Sequence, residues 1–315
     1  LPPYQSAKAG EWYKGTANAI YQNLSFLDRF TPDNVLILSG DHIYKMHYGK
    51  MLEAHMKSGA AATIAVMPVP WEEASRFGIM NVSDEGVITE FEEKPKNPRS
   101  NLASMGIYIF NYPALKRYLE DDERDATSSN DFGKNIIPAM LSNGEKMMSY
   151  RFEGYWKDVG TIQSLWEANM DLIDTPPKFN INDNTWSIYS RNTALAPQYV
   201  GKNARIKDST VTQGCVIYGD VIHSVIFSDV KIGENSKVTD SVVMQGAKIG
   251  KNTVINKAVI GPDAVIGDGV VIGAEPDGEN KYKSKLCTDG LVLIEGGTFV
   301  PDSAVVPKGS MVEAE

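Results

Sequence analysis

Aliphatic side chains recur at a constant interval of 17 residues in the second half of the chain. Three sets run in phase: Ile226, Val243 and Ile260; Ile232, Ile249 and Ile266; and Val238, Ile255 and Ile272. Because the sets are six residues apart, they predict three short strands in each turn of a parallel β-helix of hexapeptide repeats. The stretch from Lys285 to Glu315 lacks this spacing and is expected to form a less regular tail. The default role of such a solenoid is structural, as a platform for the first half of the chain or for other subunits.

The first half alternates between apolar strands and helices, which is typical of an α/β domain. Four apolar residues in a row predict that the strand Val35–Leu38 is buried on both faces. A helix over Met46–Ser58 and a strand over Ala61–Met67 follow, and this order predicts a parallel pair with a crossover helix. A further helix is predicted over Thr16–Phe30, with Thr16 as its N-cap.

The pattern also suggests where the chain divides. Between Phe77 and Phe110 the period shortens, which indicates an antiparallel excursion from the α/β pattern. We predict an α/β domain over residues 1–175, a linker over 176–200 and the β-helix domain over 201–315.

Composition excludes several classes of partner. The formal net charge of -9 argues against nucleic acid or an anionic membrane as the main partner. No apolar run approaches the roughly 18 residues that a membrane span needs.

The chain has two cysteines, Cys215 and Cys287, far apart in sequence, so neither a disulfide framework nor a zinc cluster is expected. A reducing compartment, the cytoplasm, is therefore predicted.

Two acids stand at the ends of predicted elements. Asp41 follows the strand Val35–Leu38, at the edge where open α/β sheets bind ligands, and Asp158 precedes a helix that starts near Ile162. Each acid alone could serve as a helix cap, Asp41 for the helix near Tyr48. Two such carboxylates in one α/β domain favour a divalent metal site, because hard cations prefer oxygen ligands.

Lys94 lies between two acids and a proline in the string Glu92-Glu93-Lys94-Pro95. Taken alone, a charged turn of this kind is more often a solvated surface feature than a site. The residues themselves therefore favour a structural role for Lys94.

Six strings, in one order along the chain, resemble those of the bacterial glucose-1-phosphate adenylyltransferases (ADP-glucose pyrophosphorylases), a family of sugar-phosphate nucleotidyltransferases. They are WYKGTANA (12–19), SGDHIYK (39–45), FEEKP (91–95), LASMGIY (102–108), SNDFG (129–133) and WKDVGT (156–161). Any one string is weak evidence, whereas six in order are specific. The resemblance implies a Rossmann-like nucleotidyltransferase domain with a mostly parallel sheet, followed by a left-handed parallel β-helix.

The resemblance also implies a reaction, in which ATP and glucose 1-phosphate give ADP-glucose and pyrophosphate for glycogen synthesis. A sugar-phosphate oxygen attacks the α-phosphorus of ATP in line, so catalysis should consist of alignment and charge neutralisation. By the match, Asp41 and Asp158 are expected to hold Mg²⁺, and Lys94 is expected to pair with the sugar phosphate. The resemblance thus reverses the structural interpretation of Lys94.

Other expected roles come from positions that match the family's motifs. The expected sugar pocket is lined by Glu93, Ser104, Tyr108, Asp131 and Trp156; the expected nucleotide contacts are Tyr13, Gly15 and Thr16; and the expected regulatory positions are Gln5 and Trp12. A homotetramer, or a hetero-oligomer with a paralogous subunit, and control by an effector are implied in the same way.

The sequence departs from the family at its beginning. The family's glycine-rich loop, which carries Arg and Lys and cradles the phosphates of ATP, has no counterpart in these 315 residues. The strand before that loop would be central in the sheet, so its neighbour is expected to show an unpaired apolar edge. We therefore expect the sequence to be a part of the enzyme, with little activity by itself.

Three other interpretations remain open. A nucleotidyltransferase for another sugar phosphate or base is disfavoured by the strings at 102–108 and 156–161. A hexapeptide acyltransferase would need a catalytic histidine in the β-helix, where His223 is the one histidine. A catalytically silent regulatory subunit fits the missing phosphate loop, but the retained acids and Lys94 disfavour it.

Overall fold

A computed structural model of the chain describes residues 5–6, 9–10, 12–190 and 194–314. It divides into two compact units. The first contains the described residues of Leu1–Gly40 and Lys45–Gly154, and the second contains those of Asp41–Tyr44 and Tyr155–Glu315. Within these ranges, no helix is both long and apolar enough to span a bilayer.

The helices and the strands that precede the repeats have the following bounds. The helices are α1 (Thr16–Tyr21), α2 (Leu24–Leu27), α3 (Tyr48–Ser58), α4 (Tyr112–Arg124), α5 (Ile137–Ser142) and α6 (Ile162–Met170), with short 3₁₀ turns at Asp28–Phe30 and Ala74–Arg76 and a π-helical turn at Phe132–Ile136. The strands are β1 (Gln5–Ser6), β2 (Ala9–Gly10), β3 (Asn34–Ile37), β4 (His42–Tyr44), β5 (Ala62–Pro68), β6 (Gly78–Val82), β7 (Ile88–Glu93), β8 (Leu102–Asn111), β9 (Met147–Arg151) and β10 (Trp156–Asp158).

The first unit is built on a six-stranded mixed sheet with β8 at its centre. β8 pairs antiparallel with β5 on one side and with β3 and β6 on the other. β7 pairs antiparallel with β6, as the shortened period between Phe77 and Phe110 indicated, whereas β9 runs parallel to β5. Since β5 with β9 is the one parallel pair in the described part of this sheet, the prediction of a mostly parallel sheet is wrong in this respect.

The predicted parallel pairing of β3 with β5 is also wrong. The order β3–α3–β5 is as predicted, but β8 lies between the two strands and is antiparallel to both. β8 is ten residues long and mostly buried, so it offers a full-length partner on each side. Sequence order alone does not reveal that a later strand separates two earlier ones.

β3 is less buried than its sequence predicts. Leu36 is 38% exposed, and Leu38, just past the strand, is 43% exposed. Among the described strands β3 pairs with β8 alone, so it lies at an edge of the sheet. An edge strand covers its apolar side chains incompletely, which explains why the prediction of burial on both faces fails.

The second unit contains the predicted solenoid. Its strands are β11 (Tyr199–Val200), β12 (Ile206–Lys207), β13 (Thr210–Val211), β14 (Val216–Ile217), β15 (Asp220–Ile222), β16 (Val225–Ile226), β17 (Lys231–Ile232), β18 (Lys237–Thr239), β19 (Val242–Val243), β20 (Lys248–Ile249), β21 (Val254–Asn256), β22 (Ala258–Ile260), β23 (Val265–Ile266), β24 (Val271–Ala274), β25 (Val292–Ile294), β26 (Phe299–Val300), β27 (Val305–Pro307) and β28 (Met311–Val312). Every third strand stacks in one of three six-stranded parallel sheets. This arrangement is consistent with the predicted left-handed β-helix.

The register confirms the interval of 17 residues. Ile226 pairs with Val243 and Val243 with Ile260, and the other two predicted sets stack in the same way. These side chains point inward and form one buried aliphatic core. Across one coil the interval doubles, so that Ile260 pairs with Ile294. The segment predicted to be a less regular tail therefore continues all three sheets after an insertion.

Helix α6 covers one of the three sheets. Met170 packs with Val225, Val242 and Val259 on the outer side of that sheet. Trp166 adds a hydrogen bond from its Nε1 to the backbone oxygen of Asp240, at 2.7 Å. Because α6 follows Asp158 closely in sequence, the solenoid supports the segment that carries this acid.

Candidate active site

The two predicted metal ligands come together on a two-stranded antiparallel ribbon in the second unit. β4 pairs with β10 in a register that places His42 opposite Asp158. The backbone N–H of Val159 donates to the oxygen of Asp41 at 3.0 Å and extends the ribbon by one residue. As a result, one potential ligand atom from each of Asp41, His42 and Asp158 lies within 4.8 Å of the other two.

Neither acid caps a helix, so the competing interpretation of both is wrong. His47 is the N-cap of α3, and its side chain accepts a hydrogen bond from the N–H of Lys50. Thr161 is the N-cap of α6, where it forms a reciprocal capping box with Ser164. With the caps supplied by other residues, the carboxylates are left for another role.

The Asp158 carboxylate is held by the backbone beside it. Its Oδ1 accepts the N–H of Gly160 at 2.7 Å, which fixes the orientation of the carboxylate and leaves Oδ2 for another partner. The side chain of Asp41 is 60% exposed, which leaves room for a solvated ligand. One oriented and one accessible carboxylate are suited to a hydrated divalent cation.

His42 is a site residue that sequence reasoning missed. Its Nε2 lies 3.6 Å from Asp41 Oδ1, and its side chain is 11% exposed. The ring packs edge-on against Trp156, with centroids 5.2 Å apart and an interplanar angle of 86°. Its position next to Asp41 was the available signal, but only the ribbon register shows that it also faces Asp158.

The donor set fits a divalent metal ion. Two carboxylates supply hard oxygen ligands, and an imidazole nitrogen of His42 is within reach of the same point. Among the residues that the structure describes, this is the one group of three acidic, histidine or cysteine side chains with such spacing. These observations support the predicted role of Asp41 and Asp158 as metal ligands.

A second group of predicted residues lies in the first unit, around the carboxylate of Glu93. A Cβ atom at Gly133 would lie 2.6 Å from Glu93 Oε2, so a side chain there would displace the end of the Glu93 side chain. Burial raises the pKa of the Glu93 carboxyl, and the nearby Asp131 raises it further, whereas Lys94 and Lys134 oppose the shift. The result is a half-buried acid that can accept hydrogen bonds from hydroxyl donors.

Tyr108 and Ser104 lie in the same region. Tyr108 stands next to Phe132, with ring centroids 5.7 Å apart. Burial raises the pKa of Tyr108 to about 12, while a hydrogen bond from Ser104 acts in the opposite direction. Tyr108 is therefore a neutral phenol at physiological pH, with an aromatic face of the kind that packs against a sugar ring.

Lys94 combines an exposed side chain with an unusual backbone. Its φ of 49° places it in the left-handed region, which a residue with a Cβ adopts at a cost of roughly 1–2 kcal/mol. Its Nζ lies 3.8 Å from Glu93 Oε1, and its side chain is 65% exposed. This placement leaves the ammonium group of Lys94 accessible to a ligand.

Two of the predicted nucleotide residues, Gly15 and Thr16, lie next to residues 130–131. Gly15, not Thr16, is the N-cap of α1, so the predicted capping role of Thr16 is wrong. The reason is that the Thr16 hydroxyl instead donates to Asp131 Oδ2 at 3.1 Å. A Cβ atom at Gly15 would lie 2.4 Å from the backbone oxygen of Asn130, so this position accepts only glycine without rearrangement.

The remaining predicted residues are spread over the chain. The Tyr13 hydroxyl accepts a hydrogen bond from Asn23 Nδ2 at 3.1 Å. Trp12 is 84% exposed. The backbone of Gln5 lies in the β1–β2 hairpin, and its side chain is outside the described residues. Trp156 belongs to the second unit, where it contacts His42.

Two family models match the chain. The nucleotidyl transferase model matches residues 3–175, and the GlmU-like C-terminal hexapeptide model matches residues 194–294. The first match covers more than half of the chain.

Curated relatives carry one name. Proteins named glucose-1-phosphate adenylyltransferase from Clostridium beijerinckii, Desulforamulus reducens and Bacillus thuringiensis are 62%, 58% and 58% identical over 240 residues. The alignments cover 76% of this chain and 62%, 60% and 64% of the respective relatives, so the chain spans less than two thirds of their length. With the mixed α/β sheet, the paired acids and the hexapeptide solenoid, these matches lead to one conclusion: the chain belongs to the nucleotidyl transferase family.

Proposed function

We propose that the protein acts in the transfer of AMP from ATP to glucose 1-phosphate, giving ADP-glucose and pyrophosphate in a Mg²⁺-dependent step of glycogen synthesis. The observation that carries the proposal is the ribbon register that brings Asp41 and Asp158 together. Support for the substrates comes from the name shared by the relatives. The whole enzyme of which the relatives are examples is longer than this chain.

In the proposed reaction an oxygen of the sugar phosphate forms a bond to the α-phosphorus of ATP, and the bond from that phosphorus to the leaving pyrophosphate breaks. Mg²⁺, held by Asp41 and Asp158, would supply neutralisation of the triphosphate charge. The protein's own contribution is to fix the carboxylates, as the bond from Gly160 to Asp158 does, and to align the reactants.

Six of the predicted residues would hold the sugar phosphate. Lys94 would pair with its phosphate, because an exposed ammonium group can reach a dianion without losing a buried partner. Glu93, Ser104, Tyr108, Asp131 and Trp156 would contact the sugar. The half-buried carboxylate of Glu93 is suited to this role because a hydroxyl donor replaces the water that burial removes.

Further parts of the proposal rest on the family match. Tyr13, Gly15 and Thr16 would lie at the nucleotide, and Gln5 and Trp12 would belong to a regulatory loop. Residues 1–175 would form the catalytic domain, 176–200 the linker and 201–315 the domain for assembly and regulation. We also propose a cytoplasmic homotetramer, or a hetero-oligomer with a paralogous subunit.

The test is pyrophosphate release by the purified protein with ATP, glucose 1-phosphate and Mg²⁺. A panel of other nucleoside triphosphates and sugar 1-phosphates is run in parallel. Release that requires ATP, glucose 1-phosphate and a divalent ion supports the proposal. Preference for another pair of substrates would contradict it, and binding of the substrates without release would favour the silent regulatory subunit.

A further inference from the structure

The hydroxyl group of Thr16 is engaged by the segment that carries Asp131. It donates to Asp131 Oδ2 at 3.1 Å and accepts the backbone N–H of Phe132 at 3.1 Å. A threonine hydroxyl has a single hydrogen to donate. Thr16 therefore cannot donate a hydrogen bond to a nucleotide without releasing Asp131.

Backbone contacts join the same two segments. The N–H of Ala17 donates to the oxygen of Asn130 at 2.8 Å, next to the place where Gly15 allows close approach. Asn130 has a backbone φ of 52°. Its side-chain Nδ2 donates a hydrogen bond to Asp122 Oδ2 at 2.9 Å. The start of α1 and the segment 128–133 thus form one hydrogen-bonded body within the first unit.

Both oxygens of Asp131 have protein donors. Oδ1 accepts the N–H of Lys134 at 3.0 Å, and Oδ2 accepts the Thr16 hydroxyl. Two donors on opposite oxygens leave the carboxylate one orientation, and each oxygen keeps a lone pair for a further donor. Without the Thr16 hydroxyl, the carboxylate of Asp131 keeps the bond from the Lys134 N–H of its own turn, which holds Oδ1 alone.

We propose that Thr16, at the start of the proposed nucleotide subsite, is a positioning residue for the adjoining sugar subsite and acts through Asp131. This inference rests on the proposed function, in which Asp131 accepts a hydroxyl of the sugar 1-phosphate. By fixing the orientation of the Asp131 carboxylate, the Thr16 hydroxyl should improve discrimination between sugars. A carboxylate held in one orientation forms a good hydrogen bond only with a correctly placed sugar hydroxyl.

The primary experiment compares Thr16→Val with wild type in steady-state kinetics at varied glucose 1-phosphate and varied ATP, at protein concentrations high enough to measure the low turnover that we expect of this chain. Val keeps the size and branching of Thr, so the substitution removes the hydroxyl with little change in packing. We expect the KM for glucose 1-phosphate to rise about tenfold, as for the loss of a bond to a charged acceptor, while the KM for ATP stays within about twofold. A larger increase in the KM for ATP than for the sugar phosphate would overturn the inference.

Two further variants separate positioning from general damage. Thr16→Ser keeps the hydroxyl and should restore the wild-type KM for glucose 1-phosphate. Thr89→Val removes an exposed threonine hydroxyl on β7 that bonds to the backbone oxygen of Asn81, and it should leave both KM values unchanged. If Thr16→Val melts well below wild type, the comparison is made at a temperature where both are folded.

A double-mutant cycle with Asp131→Ala decides whether Thr16 acts through Asp131. We expect Thr16→Val to have almost no further effect on glucose 1-phosphate binding once Asp131 is replaced. Equal effects of Thr16→Val in both backgrounds would overturn the inference. A wild-type protein that uses another sugar phosphate would contradict the proposed function alone, and the same cycle would then be run with that substrate.

Discussion

Asp158 lies opposite His42 in the β4–β10 ribbon, and this register brings the carboxylate of Asp158 to that of Asp41. The two segments are far apart in sequence but belong to the same compact unit. Backbone hydrogen bonds hold the ribbon, including the one from Val159 to Asp41. The proposed metal ligands are thus fixed by main-chain pairing, which is less sensitive to side-chain substitution than a loop would be.

Replacement of Lys94 should weaken binding of the sugar phosphate with little loss of stability. Its side chain is mostly exposed, and its left-handed backbone suits glycine better than lysine. We expect Lys94→Gly to raise the KM for glucose 1-phosphate about 10²-fold while the melting temperature stays equal or rises slightly. The exposed Lys96→Ala serves as the control, and a Lys94→Gly enzyme with an unchanged KM would show that Lys94 does not bind this phosphate.

His55 should make the stability of the first unit depend on pH. Its Nδ1 lies 2.8 Å from Thr63 Oγ1 and its Nε2 lies 3.0 Å from Asn34 Oδ1, and burial lowers the pKa of the imidazole below 6.5. Below pH 6.5 the unfolded chain therefore binds a proton that the folded chain resists. Stability falls as the pH decreases from about 6.5 toward the folded-state pKa, with a limiting slope of about 1.4 kcal/mol per pH unit.

Urea unfolding between pH 5 and 8 measures this dependence. His55→Gln should reduce the slope below pH 6.5, at some cost in stability at every pH. His47→Asn, an exposed position on the same helix where Asn can keep the N-cap, should retain the wild-type slope. An identical slope in His55→Gln would show that another group is responsible.

Adjacent positions on β21 should respond very differently to truncation. Ile255 is fully buried in the solenoid core, whereas Val254 is 40% exposed on its outer side. Ile255→Ala should destabilise the solenoid by about 2–5 kcal/mol because it removes buried methyl groups and leaves a cavity. Val254→Ala should change stability by no more than about 0.5 kcal/mol. Similar urea midpoints for the two variants would contradict the alternation of inward and outward residues.

The solenoid could be predicted in detail because its coils stack at the same interval at which aliphatic residues recur in the sequence. Because these coils use the same number of residues, Ile232 stacks on Ile249 and Ile249 stacks on Ile266. The interval between Ile260 and Ile294 was missed because the insertion lies inside one coil and hides the period.

The sheet of the first unit was less predictable because strand pairing is a tertiary property. The order of β3, α3 and β5 is visible in the sequence, but the insertion of β8 between the strands is not. The exposure of Leu36 follows from the edge position of β3, which its apolar sequence does not reveal.

The residues of the candidate site also differ in how far the sequence alone could predict them. Asp41 and Asp158 could be identified from their positions at element ends, and the resemblance added Lys94. His42 could not be identified, because its approach to Asp158 depends on the ribbon register.

The measurement that tests the metal site most directly is binding of Mn²⁺, as a substitute for Mg²⁺, followed by electron paramagnetic resonance. The proteins compared are wild type, Asp41→Asn, Asp158→Asn and the exposed control Asp84→Asn. We predict one site in wild type and in the control, with affinity at least about tenfold weaker in each of the two site variants. Equal affinity in all four proteins would contradict the assignment of Asp41 and Asp158 as the metal ligands.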